Sequence, residues 1–386
     1  MDIRFIKTYN LITMKTKTIK IMIAVCAVGI LLSACTSNNK SGMGADSSKN
    51  DSARVAALKP VGPAPEWGKT IKPEMQTIIE KLESYGDKPI ELLSAEEARK
   101  NHTPTDAVMD LLKQNNISLP SPKVDTMGKD IDVNGGKLHL RVYTPKGNKE
   151  PYPLIVYYHG GGFVIANIDV YNASAQALAE QVDAIVISVA YRLAPENKFP
   201  TAHNDAFAAY EWAVKNAVNL KADPAKIAVV GESAGGNLAA NVSIMARDKH
   251  IMIPVHEVLV YPIAQANMDT ESYKMYAKAK PLNKAMMAWF TRQYLNTIIE
   301  AQDARISLVN ANLKGLPPTT IITAEIDPLN NDGTMLADKL KAAGVRVDSR
   351  NYEGVTHEFF GMAALVPEAK QAQAFAAEQL KAAFKK

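Results

Sequence analysis

Cysteine is almost missing from this chain: Cys26 and Cys35 are the only two among 386 residues. Both lie in the first 35 positions, so no disulfide framework can be drawn through the remainder. Long hydrophobic runs are scarce as well. The unbroken apolar stretch from Ile21 to Leu32 has 12 residues, too few for a comfortable membrane span. Excess charge is also lacking once the leader is set apart. The chain carries a net +4, and residues 1–34 hold all of it, with Arg4, Lys7, Lys15, Lys17 and Lys20 against Asp2. The rest of the chain is near neutral and leaves no electrostatic footprint for nucleic acid. There are no internal repeats. The length suits one globular domain with attachments.

The attachments come first. Lys15, Lys17 and Lys20 precede the apolar run, and Leu32-Ser33-Ala34-Cys35 ends it. A basic segment, a short apolar segment and small residues before a cut make a secretory signal peptide. Leu-Ser-Ala-Cys resembles the bacterial lipobox, which implies a lipidated Cys35 as the mature N-terminus and attachment to a membrane. The alternative is a plain signal peptide with an unrelated cysteine. Met14 begins a signal of normal shape by itself. Residues 35–69 are rich in Ser, Asn, Lys, Gly and Pro without apolar periodicity, and read as a disordered tether. Such a coil spans on the order of 30 Å.

Ile227-Ala228-Val229-Val230 reads as a buried strand, and Gly231-Glu232-Ser233-Ala234-Gly235-Gly236 turns it sharply into a helical stretch. Strand, Gly-x-Ser-x-Gly, helix is the context of a nucleophile elbow. The turn lifts the Ser233 hydroxyl clear of the sheet, and the glycines let strand and helix pass closely. A second strand, Leu154–Tyr158, runs into His159-Gly160-Gly161-Gly162. Three glycines let backbone N–H groups face inward, as an oxyanion hole requires.

Three helical stripes precede the strands. Met75, Ile78, Ile79 and Leu82 form the first, Ser94 with Glu97 fits a capping box, and Val108, Leu111 and Leu112 form the third. Residues 70–125 are therefore expected to cap one end of a sheet. From residue 126 to 386 strands and helices alternate after a leading hairpin around Asn134-Gly135-Gly136. That alternation predicts an α/β fold, mostly parallel, with helices on both faces and a helical insertion at about 266–316.

A serine nucleophile needs a base and an orienting acid. His250, His256 and His357 come after Ser233, and of these His357 stands in a loop directly after a strand. Loops after parallel strands are where such sites form. Asp327 likewise stands after a strand, in Asp327-Pro328-Leu329, with Glu325 and Asp332 as rivals. Glu325 is expected still in the strand, and Asp332 as a cap of the next helix.

These motifs, with Tyr191-Arg192-Leu193-Ala194-Pro195-Glu196, resemble the hormone-sensitive-lipase family of α/β-hydrolases, the bacterial family IV esterases. The resemblance covers roughly Lys72 to Lys386. It implies an α/β-hydrolase fold with Ser233 as nucleophile, Asp327 as orienting acid and His357 as base. It also implies oxyanion donors at Gly161, Gly162 and Ala234, and a small-molecule ester as substrate, with short acyl chains preferred. No metal or cofactor is implied. Glu232 stands where the family often has Asp, and Ser307-Leu308-Val309 where it often has Ser-Pro-Leu. Some relatives lost the histidine and became receptors, a fate that His357 argues against. An amidase, lactonase or carbohydrate deacetylase could use the same site, and a lipid-anchored binding protein with a silent site is the reading outside enzymes. Arg192 and Glu196 are expected to pair with each other. Met286, Met287, Trp289 and Phe290 fit an acyl pocket or core packing equally.

Overall fold

The computed structural model describes residue 51, residues 53–147 and residues 149–385. The expected signal peptide, the expected lipobox with Cys35 and the first part of the expected tether lie outside the described residues. Among the described residues, no helix is long and apolar enough to cross a membrane.

Eight strands form one sheet: β1 (Val124–Val133), β2 (Gly136–Pro145), β3 (Tyr152–Tyr158), β4 (Ile185–Ala190), β5 (Ala222–Glu232), β6 (Glu257–Val260), β7 (Thr319–Ile326) and β8 (Val347–Thr356). Their order is β1-β2-β4-β3-β5-β6-β7-β8. β1 pairs antiparallel with β2, and β2 antiparallel with β4. Every pairing from β4 through β8 is parallel. The mostly parallel α/β architecture expected from the sequence is therefore what forms.

Parallel strands covered on both faces must be apolar on both faces. β3 and β5 meet that demand. Leu154, Val156, Tyr158, Ile227 and Val229 point into one hydrophobic cluster, and Ile155, Tyr157, Ala228 and Val230 into the other. The first cluster is closed by α5 (Thr201–Asn216), α6 (Ala234–Asp248), α8 (Lys284–Tyr294) and α9 (Asn330–Ala342). The second is closed by α4 (Asn172–Val182) and α10 (Pro367–Phe384).

The helices before the sheet divide between these clusters. α1 (Pro73–Glu83) and α3 (Pro104–Gln114) pack through Met75, Ile78, Val108 and Leu111 into the second cluster. Between them, α2 (Ala95–Ala98) belongs with Ile90 to the first cluster, beside α8. Its Ser94–Glu97 capping box forms as the sequence indicates. A second box, Thr103 with Asp106, starts α3.

Two boundaries differ from expectation. The tether does not continue to residue 69 as disordered chain. Residues 53–57 are helical, and Val55, Leu58 and Trp67 pack against the second cluster. Glu80 accepts the Val61 and Gly62 N–H groups, and Gln76 donates to the Gly62 and Pro63 carbonyls. Three apolar residues are too few to establish a helical period, yet each packs on the folded domain. The sequence also places the end of the strand before His357 near Tyr352, whereas β8 runs on to Thr356. A register shift between Ala324 and Ile326 lets Ile326 pair with Thr356, so the strand delivers the chain directly to His357.

Candidate active site

Ser233 stands between β5 and α6 with φ 57° and ψ −118°. The crossing there is too close for side chains. A Cβ on Gly231 would lie 2.0 Å from the Gly235 carbonyl oxygen, and one on Gly235 would lie 2.0 Å from that of Tyr158. The Ser233 N–H donates to the Val260 carbonyl at 2.8 Å, tying the elbow to the end of β6. Ser233 is 4% exposed and His357 3% exposed, so the pair is shielded yet not sealed.

His357 Nε2 lies 2.9 Å from Ser233 Oγ, and His357 Nδ1 lies 2.7 Å from Asp327 Oδ2. An ionised carboxylate can only accept, so the Nδ1 proton points at Asp327 and Nε2 is left to accept from the serine hydroxyl. Asp327 Oδ1 accepts the Leu329 N–H at 2.9 Å, which fixes the carboxylate in its turn. The structure thus brings together Ser233, His357 and Asp327. Burial pulls His357 down, but the charge and hydrogen bond of Asp327, with the charges of Glu358 and Glu232, outweigh it. The imidazole is held above its ordinary value of 6.5.

The rivals face elsewhere. Glu325 lies in β7, as expected, where it accepts from Thr70 Oγ1 and the Gly354 N–H. Asp332 is not a cap of α9. It is buried within the first turn and accepts the Ala264 and Gln265 N–H groups and Gln265 Nε2.

Gly161 and Gly162 adopt φ of 101° and 60°. The Gly161 carbonyl accepts the Val164 and Ile165 N–H groups, so the loop folds back on itself. Ala234 is the first residue of α6, and its N–H belongs to the orphan donors of a helix start. His159 holds the loop from behind. Its ring stacks on Tyr191 at 4.3 Å, and burial pushes it down to about 4. The ring is therefore neutral, and structural. Tyr191 donates to the His159 carbonyl at 2.8 Å.

The expected Arg192–Glu196 pair does not form. Arg192 grips the buried Asp205 through Nε and Nη2, and Arg99 takes Glu196 through Nη1 and Nη2. Asp205 comes from α5 and Arg99 stands just after α2, so nearness within the motif is no guide to pairing. The Met286–Phe290 stretch divides between its two readings. Met287 and Phe290 line a cavity of about 420 Å³ with Gly162, Phe163, Met268 and Leu295. Trp289 instead donates Nε1 to the Leu93 carbonyl, and Met286 packs on the core. None of the three triad residues lines this cavity, which meets the site through Gly162, and two larger clefts, each about 520 Å³, include neither the glycine loop nor the triad.

Some contacts of the site carry no sequence signal. Glu232 is buried beneath the serine and accepts from Tyr157 and Tyr261 hydroxyls. Tyr261 also packs its ring 4.5 Å from that of His357. Asn237, one turn into α6, donates to the Ile263 and Ile306 carbonyls and faces His203 Nε2 at 2.9 Å. Only the folded chain brings these partners together. Among the described residues, no group of three or more His, Cys, Asp or Glu could hold a metal ion.

A family model described as the alpha/beta hydrolase fold matches residues 155–361. The carboxylesterase NlhH of Mycobacterium tuberculosis is 39% identical over 237 residues, 60% of this chain and 74% of its own. The ethyl acetate hydrolase of Pseudomonas putida is 31% identical over 76% of this chain and 91% of its own. Among solved structures, the esterase of Pyrobaculum calidifontis superposes with a TM-score of 0.71 at 36% identity, over 78% of this chain and 97% of its own. With the elbow, the glycine loop and the three-residue relay all in place, the chain belongs to the α/β-hydrolase fold family, in its hormone-sensitive-lipase branch.

Proposed function

We propose that this protein is a serine carboxylic-ester hydrolase acting on small esters through an acyl-enzyme intermediate. The observation that carries the reading is the unbroken relay from Ser233 Oγ to His357 Nε2 and from His357 Nδ1 to Asp327. His357 Nε2 takes the Ser233 proton as Oγ bonds to the ester carbonyl carbon, and the carbonyl electron pair moves onto oxygen. The Gly161, Gly162 and Ala234 N–H groups are the donors proposed to receive that oxyanion. One such donor is worth about 3 kcal/mol in the transition state. Collapse breaks the bond to the alcohol, which leaves with the proton from His357. Water then repeats the sequence and frees the acid. Asp327 keeps the imidazole in its working tautomer and steadies the imidazolium.

The similar proteins named carboxylesterase and ethyl acetate hydrolase support an ester as substrate. The cavity beside Gly162 is the proposed acyl site, and its volume of about 420 Å³ suits short chains. A fluorophosphonate probe tests the reading. An activated Ser233 displaces fluoride from phosphorus and forms a P–O bond, whereas a silent site leaves the probe unreacted. Labelling of wild type and not of Ser233→Ala is the expected result. Labelling of both alike would overturn it.

We further propose that the chain is exported and anchored by a lipid on Cys35, in the outer membrane facing the periplasm. The basic residues, short apolar run and Leu-Ser-Ala-Cys sequence support export and lipidation, and Thr36 after the cysteine, where Asp tends to retain such proteins in the inner membrane, supports the outer membrane. Mass spectrometry of the mature N-terminus tests it, and an unmodified start at another residue would refute it.

A further inference from the structure

The turn that carries Asp327 is fastened from outside the sheet. After β7 the chain runs Asp327-Pro328-Leu329-Asn330-Asn331-Asp332 into α9. Against this turn lies α7 (Glu271–Met275), which opens the insertion between β6 and β7. Ser272, buried in α7, makes three hydrogen bonds to the turn. Its hydroxyl donates to the Pro328 carbonyl at 2.7 Å and accepts the Asn331 N–H at 3.2 Å. Its own N–H donates to Asn331 Oδ1 at 2.9 Å. Asp332, at the far end of the turn, takes the Ala264 and Gln265 N–H groups from the stem of the same insertion. The turn is therefore held at Pro328, Asn331 and Asp332 by the insertion. From the sheet side it is held by Asn330, which donates to the Ala324 carbonyl.

Gln265 also lines the pocket, but Ser272 is no part of its wall. Ser272 does not line the cavity beside Gly162 and bonds to neither Ser233 nor His357. What it reaches is the residue directly after Asp327. We propose that Ser272 is a positioning residue for the triad, holding Asp327 in register with His357 through the Pro328 carbonyl and Asn331. The inference rests on the ester-hydrolase reading of Ser233, His357 and Asp327. It gives the insertion a second task. The segment that walls the substrate also sets the acid, so a displaced insertion weakens the base as well as the pocket.

The groups that face His357 come from several elements. Asp327 comes from the β7–α9 turn, Glu232 and Ser233 from the elbow, Tyr261 from the end of β6, and Glu358 from the next position in the chain. Ser272 reaches the first of these alone. Around Ser272 itself stand Thr270, Asn331 and the wholly buried Tyr273, whose hydroxyl feels the charges of Asp332 and Asp327. Loosening the turn should thus weaken one particular influence on His357 while the carboxylates at Glu232 and Glu358 stay as they are.

The test is Ser272→Ala, assayed with p-nitrophenyl acetate across the pH range. Active sites are counted by saturating fluorophosphonate labelling, and folding is followed by thermal melting. We expect kcat per labelled site to fall about tenfold, since small misplacements of catalytic groups are costly. KM should stay within about twofold, since Ser272 lies outside the proposed substrate cavity. The acid limb of kcat/KM should move to lower pH, because Asp327 is a group that raises His357. Ser272→Thr keeps the hydroxyl and should restore both readings. A variant that melts lower yet keeps the wild-type kcat per labelled site and acid limb would overturn the proposal, leaving Ser272 as packing alone. Should Ser272→Ala not fold, Asn331→Ala at its half-buried position is judged by the same two readings. A wild-type protein that the probe does not label would overturn the nucleophile assignment itself, which is a distinct result.

Discussion

At Ser233 the left-handed backbone, with φ 57°, is unusual for an L-residue and persists because glycine neighbours and the bond to Val260 hold it. The hydroxyl contributes little to that hold. Ser233→Ala should therefore leave the melting temperature nearly unchanged while lowering kcat roughly 10⁴-fold or more. Retained turnover would end the nucleophile assignment. As the proposed base, His357 must be neutral to accept the serine proton, and its surroundings hold it above 6.5. Activity should climb with pH through a midpoint above that value, and a flat kcat/KM profile from about pH 5 to 8 would contradict its role as base. Stability runs the other way. A histidine whose folded value is raised stabilises the fold fully below the unfolded value, and that contribution fades as pH rises through the folded one. His357→Ala should accordingly remove part of the slope of melting temperature against pH in that window. Ser233, Asp327 and His357 are legible in the sequence because each stands at a strand end in a known order. The pairs Glu232–Tyr157 and Glu232–Tyr261 are not, because 75 and 29 residues separate the partners and no spacing rule links them.

At the scale of elements, the contact that governs the site is between the glycine loop and α8. A Cβ on Gly162 would lie 2.3 Å from Phe290 Cδ1, so the phenyl ring rests directly on the loop. Gly162→Ala must push that ring away or tilt the loop, and a tilted loop displaces a proposed oxyanion donor. We expect a loss of about 10²-fold in kcat, near the worth of one donor. Phe290→Ala in the same chain should recover part of it, because the clash is then gone and the two effects do not add. Phe290→Ala alone should move the preferred acyl length upward. Each methylene newly buried gains about 0.8 kcal/mol until the space is full. A panel of p-nitrophenyl esters from acetate to dodecanoate reads the shift, and an unmoved optimum would mean the cavity does not hold the acyl chain. Helix α4 is legible because Ala175, Leu178, Ala179 and Val182 recur at helical spacing on its buried face. β1 is longer than its sequence pattern suggests, because its exposed edge residues show no hydrophobic period and only pairing with β2 reveals them.

At the scale of the whole molecule, the question is where the folded unit begins. Composition places the boundary near residue 69, since polar residues, Gly and Pro dominate up to that point. The fold places contacts much earlier. Val55, Leu58 and Trp67 pack on the second hydrophobic cluster, Arg54 donates to the Asn116 carbonyl, and Glu80 collects the Val61 and Gly62 N–H groups. Isolated apolar residues in a polar stretch carry no period, so their docking sites stay invisible until the domain surface exists. Two truncations separate these boundaries. A chain starting at residue 51 keeps every one of these contacts and should melt like the full-length protein. A chain starting at residue 70 leaves apolar surface of the second cluster bare. Three partly buried side chains, each worth less than the roughly 1.5–3 kcal/mol of full burial, amount together to a few kcal/mol. In a domain of this size each kcal/mol moves the melting temperature by about 2–4 °C. The shorter chain should therefore melt several degrees lower. Its kcat and KM at 25 °C should hardly change, because none of the lost residues touches Ser233, His357, Asp327 or the cavity beside Gly162. Equal melting of the two truncations would return residues 51–69 to the tether. A fall in kcat without a fall in melting temperature would mean that this segment reaches the site by a route other than stability.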